Sequence, residues 1–429
     1  MTVIASFSAT ARDPALRRVA TASIAFNVAE WATWVAMLVY AYQRGGAVAS
    51  SVVAVIQLVP AALFAPVGAS LADRFPRARM LTVAYLAQSA TMAATAAALF
   101  VDAPIPVVYA LAACAATSIT LTRPAQNALL PALTPDRHAL TAANAVLSAI
   151  ENASIVAGPA IAGVMLAAAG AGFVFAVMAA WLALSSVLVA GIVLRDDAVR
   201  ARDEHATVKD GIVGRDSAIR ELASAPNALL LIALLAVQQL QVGALDVLFV
   251  ALALSALGIG ETGVGLLTSA VGLGGIAGAV IAAAIARRGS LPRWMALGAI
   301  AWGAGLMLVA PARDVAAVFA LVIGAGAGRG LMDVTGRTLL QHAAPARTLS
   351  RAFGVLEGLT MAALAIGAGL AALLVDRLGP AGAVAAVGVL LPLMLIATAR
   401  PLLRIESGVT DRAAELATSA EAAHARRHG

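Results

Sequence analysis

Charge is scarce in this chain. Asp, Glu, Lys and Arg make up only 12% of its 429 residues, against about 25% in a typical soluble domain. Aromatic residues are scarcer still, at 4%, and there is a single cysteine, Cys114. So little charge excludes a water-soluble enzyme and an intrinsically disordered chain. One cysteine excludes an internal disulfide, and its apolar setting makes Cys114 a small packing residue. A Walker A loop is missing, so nothing supports an ATP-driven pump. No His-Glu-x-x-His motif occurs, and the five histidines do not cluster with carboxylates, so neither a metal site nor a cofactor is expected. The alternation of a transmembrane β-barrel is absent as well. The apolar stretch behind Arg12, Arg17 and Arg18 is too long for a cleaved leader, which makes the first segment its own insertion signal.

What the chain has in excess is apolar surface, 61% of residues, with a mean hydropathy of +0.91. It comes in runs at 18–42, 49–72, 79–101, 104–127, 141–168, 172–194, 226–253, 262–286, 292–311, 314–338, 349–375 and 379–400. Each run is near the about 20 residues that cross a bilayer. Backbone polar groups find no water in lipid, so such runs must be helices. The spacing predicts an all-α integral membrane protein of twelve transmembrane helices, hence a multi-pass protein in the bilayer.

The net charge of +6 might suggest nucleic acid, but the basic residues lie between the apolar runs, which is the pattern of membrane topology. Of the 29 basic residues, only Arg44, Arg313 and Arg377 fall in one set of loops. Arg329 lies within a segment, and the rest fall in the other set or the tails. This asymmetry places both termini in the cytoplasm. The polar interruption at 195–225 divides the chain into a cytoplasmic tail (1–17), a first six-helix bundle (18–194), a cytoplasmic loop (195–225), a second six-helix bundle (226–400) and a cytoplasmic tail (401–429). Aligning Leu140 with Leu349 also pairs Val146 with Val355, Leu147 with Leu356 and Gly158 with Gly367, which suggests duplication of a six-helix unit.

Charges inside the apolar runs are costly and mark functional positions. Glu30 lies near the middle of the first segment, with Asn27, Trp34 and Met37 on its face. Glu151 and Asn152 lie mid-way along the fifth. Asp246 follows Gln238, Gln239 and Gln241 in the seventh, and Glu357 is in the inner half of the eleventh. Arg329, Asp333 and Arg337 step by four along the tenth, as an ion ladder would. No basic residue is predicted at the depth of Glu30 and Glu151. A buried carboxylate without a cation favours its neutral form, so Glu30, Glu151 and Asp246 are the candidates for proton coupling. The series Gly272-Leu-Gly274-Gly-Ile-Ala277 fits a dinucleotide fingerprint in letters, but it falls inside an apolar helix, where glycine lets neighbouring backbones approach.

The stretch Gly68-Ala-Ser-Leu-Ala-Asp73-Arg74-Phe-Pro-Arg77-Ala-Arg79 resembles the loop signature G-x-L-A-D-R-x-G-R-R/K of the major facilitator superfamily. Ala69, Pro76 and Ala78 stand at its two glycines and a basic position. Ser154-Ile-Val-Ala-Gly158-Pro159-Ala-Ile-Ala-Gly163 resembles the family's antiporter motif G-x-x-x-G-P-x-x-x-G, with serine first; its helix-packing residues are Gly158, Pro159 and Gly163. Thr122-Arg123-Pro124 through Pro131 and Arg337-Thr-Leu-Leu-Gln341 are similar to stretches of bacterial siderophore exporters and macrolide-efflux proteins.

The resemblance implies the major facilitator fold, two pseudo-symmetric six-helix bundles around a central cavity. It implies proton-coupled efflux of small amphipathic or hydrophobic organic compounds by alternating access, from the bacterial inner membrane, by a monomer with no enzymatic activity. It points Phe26, Asn27, Glu30, Trp34, Met37, Asn152, Gln239, Asp246 and Glu357 at the cavity. It places Asp73, Arg74, Arg77, Arg123, Arg329, Asp333 and Arg337 at a cytoplasmic gate, Arg123 lying too near the inner end of the fourth segment for a proton relay. Rival expectations are a lysophospholipid flippase or an importer of the same fold, and a membrane receptor or scaffold that moves nothing.

Overall fold

The computed structural model describes residues 13–74, 76–134, 137–192, 226–285, 290–343 and 349–428. Among these residues every regular element is a helix, and there is no strand. Nine α-helical runs are present, and three of them break at a glycine. The first, Pro14–Arg74, breaks at Gly45 and Gly46 into α1 (14–44) and α2 (47–74). Then come α3 (Arg77–Phe100) and α4 (Ile105–Leu133). Arg137–Ala190 breaks at Gly170 into α5 (137–169) and α6 (171–190). Next are α7 (Pro226–Ala251), extended by a π turn over Leu252–Ala256, then α8 (Gly260–Ile285), α9 (Leu291–Met307) and α10 (Val315–Ala343). Leu349–His428 breaks at Gly379 into α11 (349–378) and α12 (380–428).

The breaks need glycine for a physical reason. Gly46 has φ 60° and Gly170 φ 75°, a region where a Cβ would collide with the backbone. One or two residues thus turn the chain, where a longer polar loop would otherwise be needed. Among the described residues, eight helical stretches are long and apolar enough to cross a membrane, and three of these, of 51, 52 and 44 residues, contain a glycine break. α9, with 17 residues, is at the short end of the about 17–25 that span a bilayer.

By contact the chain forms two compact units. One unit holds residues 1–211, 242–272 and 361–383; the other holds 212–241, 273–360 and 384–429. The first unit therefore combines α1–α6 with parts of α7, α8, α11 and α12. Among the described residues, it also carries the tight turns with positive φ, at Gly46, Asp102, Gly170, Gly258, Gly260 and Gly379.

Within the first unit, small residues set the helix spacing. A Cβ on Gly158 of α5 would lie 2.7 Å from Trp31 Cβ of α1. A Cβ on Gly265 of α8 would strike the Pro159 carbonyl oxygen of α5, and one on Gly163 would lie 3.0 Å from the Thr262 carbonyl. Ser269 Oγ donates to the Val156 carbonyl at 2.6 Å across the same contact. Ser89 of α3 donates to the Ala179 carbonyl of α6 at 2.8 Å. In the second unit, Gln241 ties α7 to two helices: it donates to the Val387 carbonyl at 2.6 Å and accepts from Trp302 Nε1 at 2.8 Å. Gly274 and Gly278 of α8 face the Ile323 and Ala327 carbonyls of α10. The glycines of the apparent dinucleotide motif thus serve helix packing.

Candidate functional site

The first unit places Arg123 of α4 between two carboxylates. Its Nη2 donates to Glu30 Oε2 of α1 at 2.8 Å, and its Nη1 donates to Glu151 Oε1 of α5 at 2.7 Å. A guanidinium suits this role because its planar fork points separate N–H groups at separate acceptors. The Phe26 ring lies 5.7 Å from the guanidinium carbon, within reach of a cation–π attraction.

Local sequence explains how three helices meet here. Gly158 lets α5 lie against α1 beside Val28 and Trp31, which draws their acid-bearing turns toward one guanidinium. Pro124 follows Arg123 inside α4 and cannot donate to the carbonyl one turn back, so the helix can bend there. One turn further on, Gln126 of α4 donates to Ser23 Oγ of α1 at 3.2 Å, and Asn27 donates to the Ser23 carbonyl at 2.8 Å. α1 and α4 are thus stitched directly beside the ion cluster.

The cluster is accessible. The side chains of Arg123 and Glu151 are each 43% exposed and that of Glu30 is 25% exposed. This decides how it should be regarded. A sealed ion network would serve structure alone, whereas charged groups that keep exposed surface can exchange a proton or meet a ligand. Each carboxylate also spends only one oxygen on Arg123, so Glu30 Oε1 and Glu151 Oε2 remain available to a further donor.

Two expectations are corrected by this geometry. Glu30 and Glu151 share a cation where none was expected, because an arginine side chain reaches far from its own Cα. Arg123, assigned to a cytoplasmic gate, instead joins the intramembrane acids.

The remaining candidates are distributed as follows. Trp34 Nε1 donates to Asp246 Oδ2 of α7 at 3.2 Å, so α7 meets α1 one turn from Glu30. Met37 is fully buried, Phe26 almost so, and Asn27 is buried. In this conformation Met37 is packed between helices and does not face an open cavity, contrary to expectation. Asn152 is exposed and donates to the Ser148 carbonyl of its own helix at 2.8 Å. Gln239, part-exposed, and Glu357, exposed, belong to the second unit. In that unit Arg337 Nε meets both oxygens of Asp333 at 3.1 Å, and the Arg329 carbonyl accepts from Gln238 at 3.1 Å. The side chains of Asp73, Arg74 and Arg77 lie outside the described residues.

Sequence reasoning passed over Ser23 and Gln126, which bind α1 to α4. It also passed over Gln43 and Glu261, hydrogen bonded between α1 and α8. A small polar residue in an apolar run is a signal of interhelical bonding, but it does not name its partner.

A family model described as Major Facilitator Superfamily matches residues 19–251 and 236–425. Among solved structures, the chain is similar to a mutant of the peptide transporter POT in complex with sulfate. The identity is 16% and the TM-score 0.69, over 90% of this chain and 94% of that one. It is also similar to a bacterial homologue of the iron transporter ferroportin in an inward-facing state, at 17% identity and TM-score 0.66, over 89% and 98% of the two chains. A third is a POT family transporter in complex with 5-aminolevulinic acid, at 15% identity and TM-score 0.68, over 90% and 96%. Likeness at these identities shows a shared fold. No curated protein matches the sequence.

Proposed function

Because the chain belongs to the Major Facilitator Superfamily, whose members are multi-pass membrane transporters, we propose that it is a secondary active transporter, exporting small amphipathic organic compounds in exchange for protons. The observation that carries this reading is the part-exposed Glu30–Arg123–Glu151 cluster. Two carboxylates around one cation leave an acceptor that either a proton or a substrate can occupy, and that competition couples two opposed fluxes.

The cycle follows from charge. A charge exposed to hydrocarbon is expensive, so the site is best carried across in its neutralised form. Substrate neutralises it on the cytoplasmic side, and a proton displaces substrate on the outer side. The membrane potential supplies about 2.3 kcal/mol per charge per 100 mV when net charge moves. The basic loops face the cytoplasm of the bacterial inner membrane in this reading, and the tight-turn end is extracellular. The POT neighbour bound to 5-aminolevulinic acid supports a small organic substrate for this fold.

The test is transport in proteoliposomes with an imposed pH gradient. Glu30→Gln and Glu151→Gln are each expected to lower gradient-driven export at least tenfold, while substrate exchange without a gradient is partly kept. Full gradient-driven export in both variants would overturn the coupling role.

A further inference from the structure

We infer that the site selects amphipathic organic cations; the inference rests on the reading of this cluster as the substrate site and adds the class of substrate. It follows from an imbalance in the cluster. With Arg123 charged and both carboxylates ionised, the three side chains carry one excess negative charge. Among the described residues the excess is not offset by a second cation at the cluster, since the ion pairs of Glu30 and Glu151 are both with Arg123.

The hydrogen bonds leave one oxygen of each acid for a cation. Arg123 reaches Glu30 through Oε2 and Glu151 through Oε1. Glu30 Oε1 and Glu151 Oε2 are then left over, one from each acid. A positively charged group lying against them would neutralise the cluster without displacing Arg123. Trp34, one turn along α1 from Glu30, is part-exposed. Its indole face suits the apolar or aromatic body of such a molecule and attracts cations. An anionic substrate would compete with the two carboxylates for one guanidinium already held by both, and would leave two excess charges at the site.

The same arithmetic accounts for exchange. For the trio of Glu30, Arg123 and Glu151 taken by itself, one monovalent cation or one proton restores neutrality, and both together would exceed it. The titratable groups around the site are Glu30 on α1, Arg123 on α4, Glu151 on α5, and Asp246 on α7, held by Trp34. Arg123 keeps its charge throughout the working range, so acidification protonates carboxylates and weakens cation binding.

The experiment uses the purified full chain in nanodiscs and two probes of matched shape and opposite charge, tetraphenylphosphonium and tetraphenylborate, with binding read by equilibrium dialysis against empty nanodiscs. Tetraphenylphosphonium is expected to bind at least tenfold more tightly, and its affinity to fall as pH is lowered. Glu151→Gln makes the cluster neutral and should remove most of that preference; Glu30→Gln provides the same test if the first variant does not fold. Equal binding of the two probes by the wild-type chain, or an unchanged preference in a folded variant, overturns the inference. The outcome is separate from the coupling test. Preference for the cation without gradient-driven export would sink proton coupling alone, whereas gradient-driven export of a neutral or anionic compound with equal probe binding would sink cation selection alone.

Discussion

At the residue scale Arg123 decides more than any other side chain. Its placement was legible only in part. The acids stood out in the sequence because a carboxylate in an apolar run demands an explanation. Their partner did not, because position along a helix locates a Cα, and an arginine head group lies well away from it. Removing the cation leaves two carboxylates facing each other, so Arg123→Gln is expected to destabilise the protein. A sealed pair would cost about 3–5 kcal/mol to break; partial exposure lowers this to about 1–3 kcal/mol. Arg123→Lys should recover part of the stability but little of the driven transport, since an ammonium is a point charge that cannot hold two acceptors in a fixed fork. Combining Arg123→Gln with Glu30→Gln should lose less stability than the two single changes added together. Thermal unfolding of the four proteins in detergent checks this. Strict additivity would mean that the arginine and the glutamate do not interact.

At the scale of elements, the helices themselves were readable and their neighbours were not. Apolar runs marked the long helices, eight of which among the described residues are long and apolar enough to cross a membrane, and the Gly158-Pro159 motif was visible as a packing device. Nothing local could say that α5 meets α1 at Gly158 and α8 at Gly163, because apolar helices rich in alanine, valine and leucine offer many similar faces. The structure resolves this through close approach: Gly265 lies against the Pro159 carbonyl and Gly163 against Thr262. Backbone atoms cannot yield as a flexible side chain can. Gly265→Ala is therefore expected to cost about 1–3 kcal/mol through forced separation of α5 and α8. Gly324→Ala, where an added Cβ meets nothing within 4 Å, should be close to neutral or slightly favourable, since alanine is the better helix former. Side-by-side unfolding midpoints test the contrast, and equal shifts would show that the α5–α8 contact does not depend on a bare backbone.

For the whole molecule, the multi-pass membrane character was legible in the composition, while the make-up of the first compact unit came from the structure. That unit takes in the turn-proximal ends of α7 and α8 as well as residues 361–383. Polar contacts hold them: Tyr42 to Ser255 at 3.2 Å, Gln43 to Glu261, and Ser51 Oγ accepting from the Ala372 N–H at 3.2 Å. Arg44 adds a contact to Asp102 at 3.6 Å and stacks over Tyr40. If the site opens toward the tight-turn end during transport, these bonds must break, so they bias the protein toward the state closed at that end. Exposed hydrogen bonds of this kind contribute about 0.5–1.5 kcal/mol each. Gln43→Ala should thus shift the population toward the open form by about two- to tenfold, leaving the Glu30–Arg123–Glu151 cluster intact. Spin labels at Val48 and Leu257, both at this end, would report the change as a second, longer distance. A distance distribution identical to that of the wild type would show that Gln43 and Glu261 are only solvent-exposed neighbours and that the closed end is held by helix packing alone.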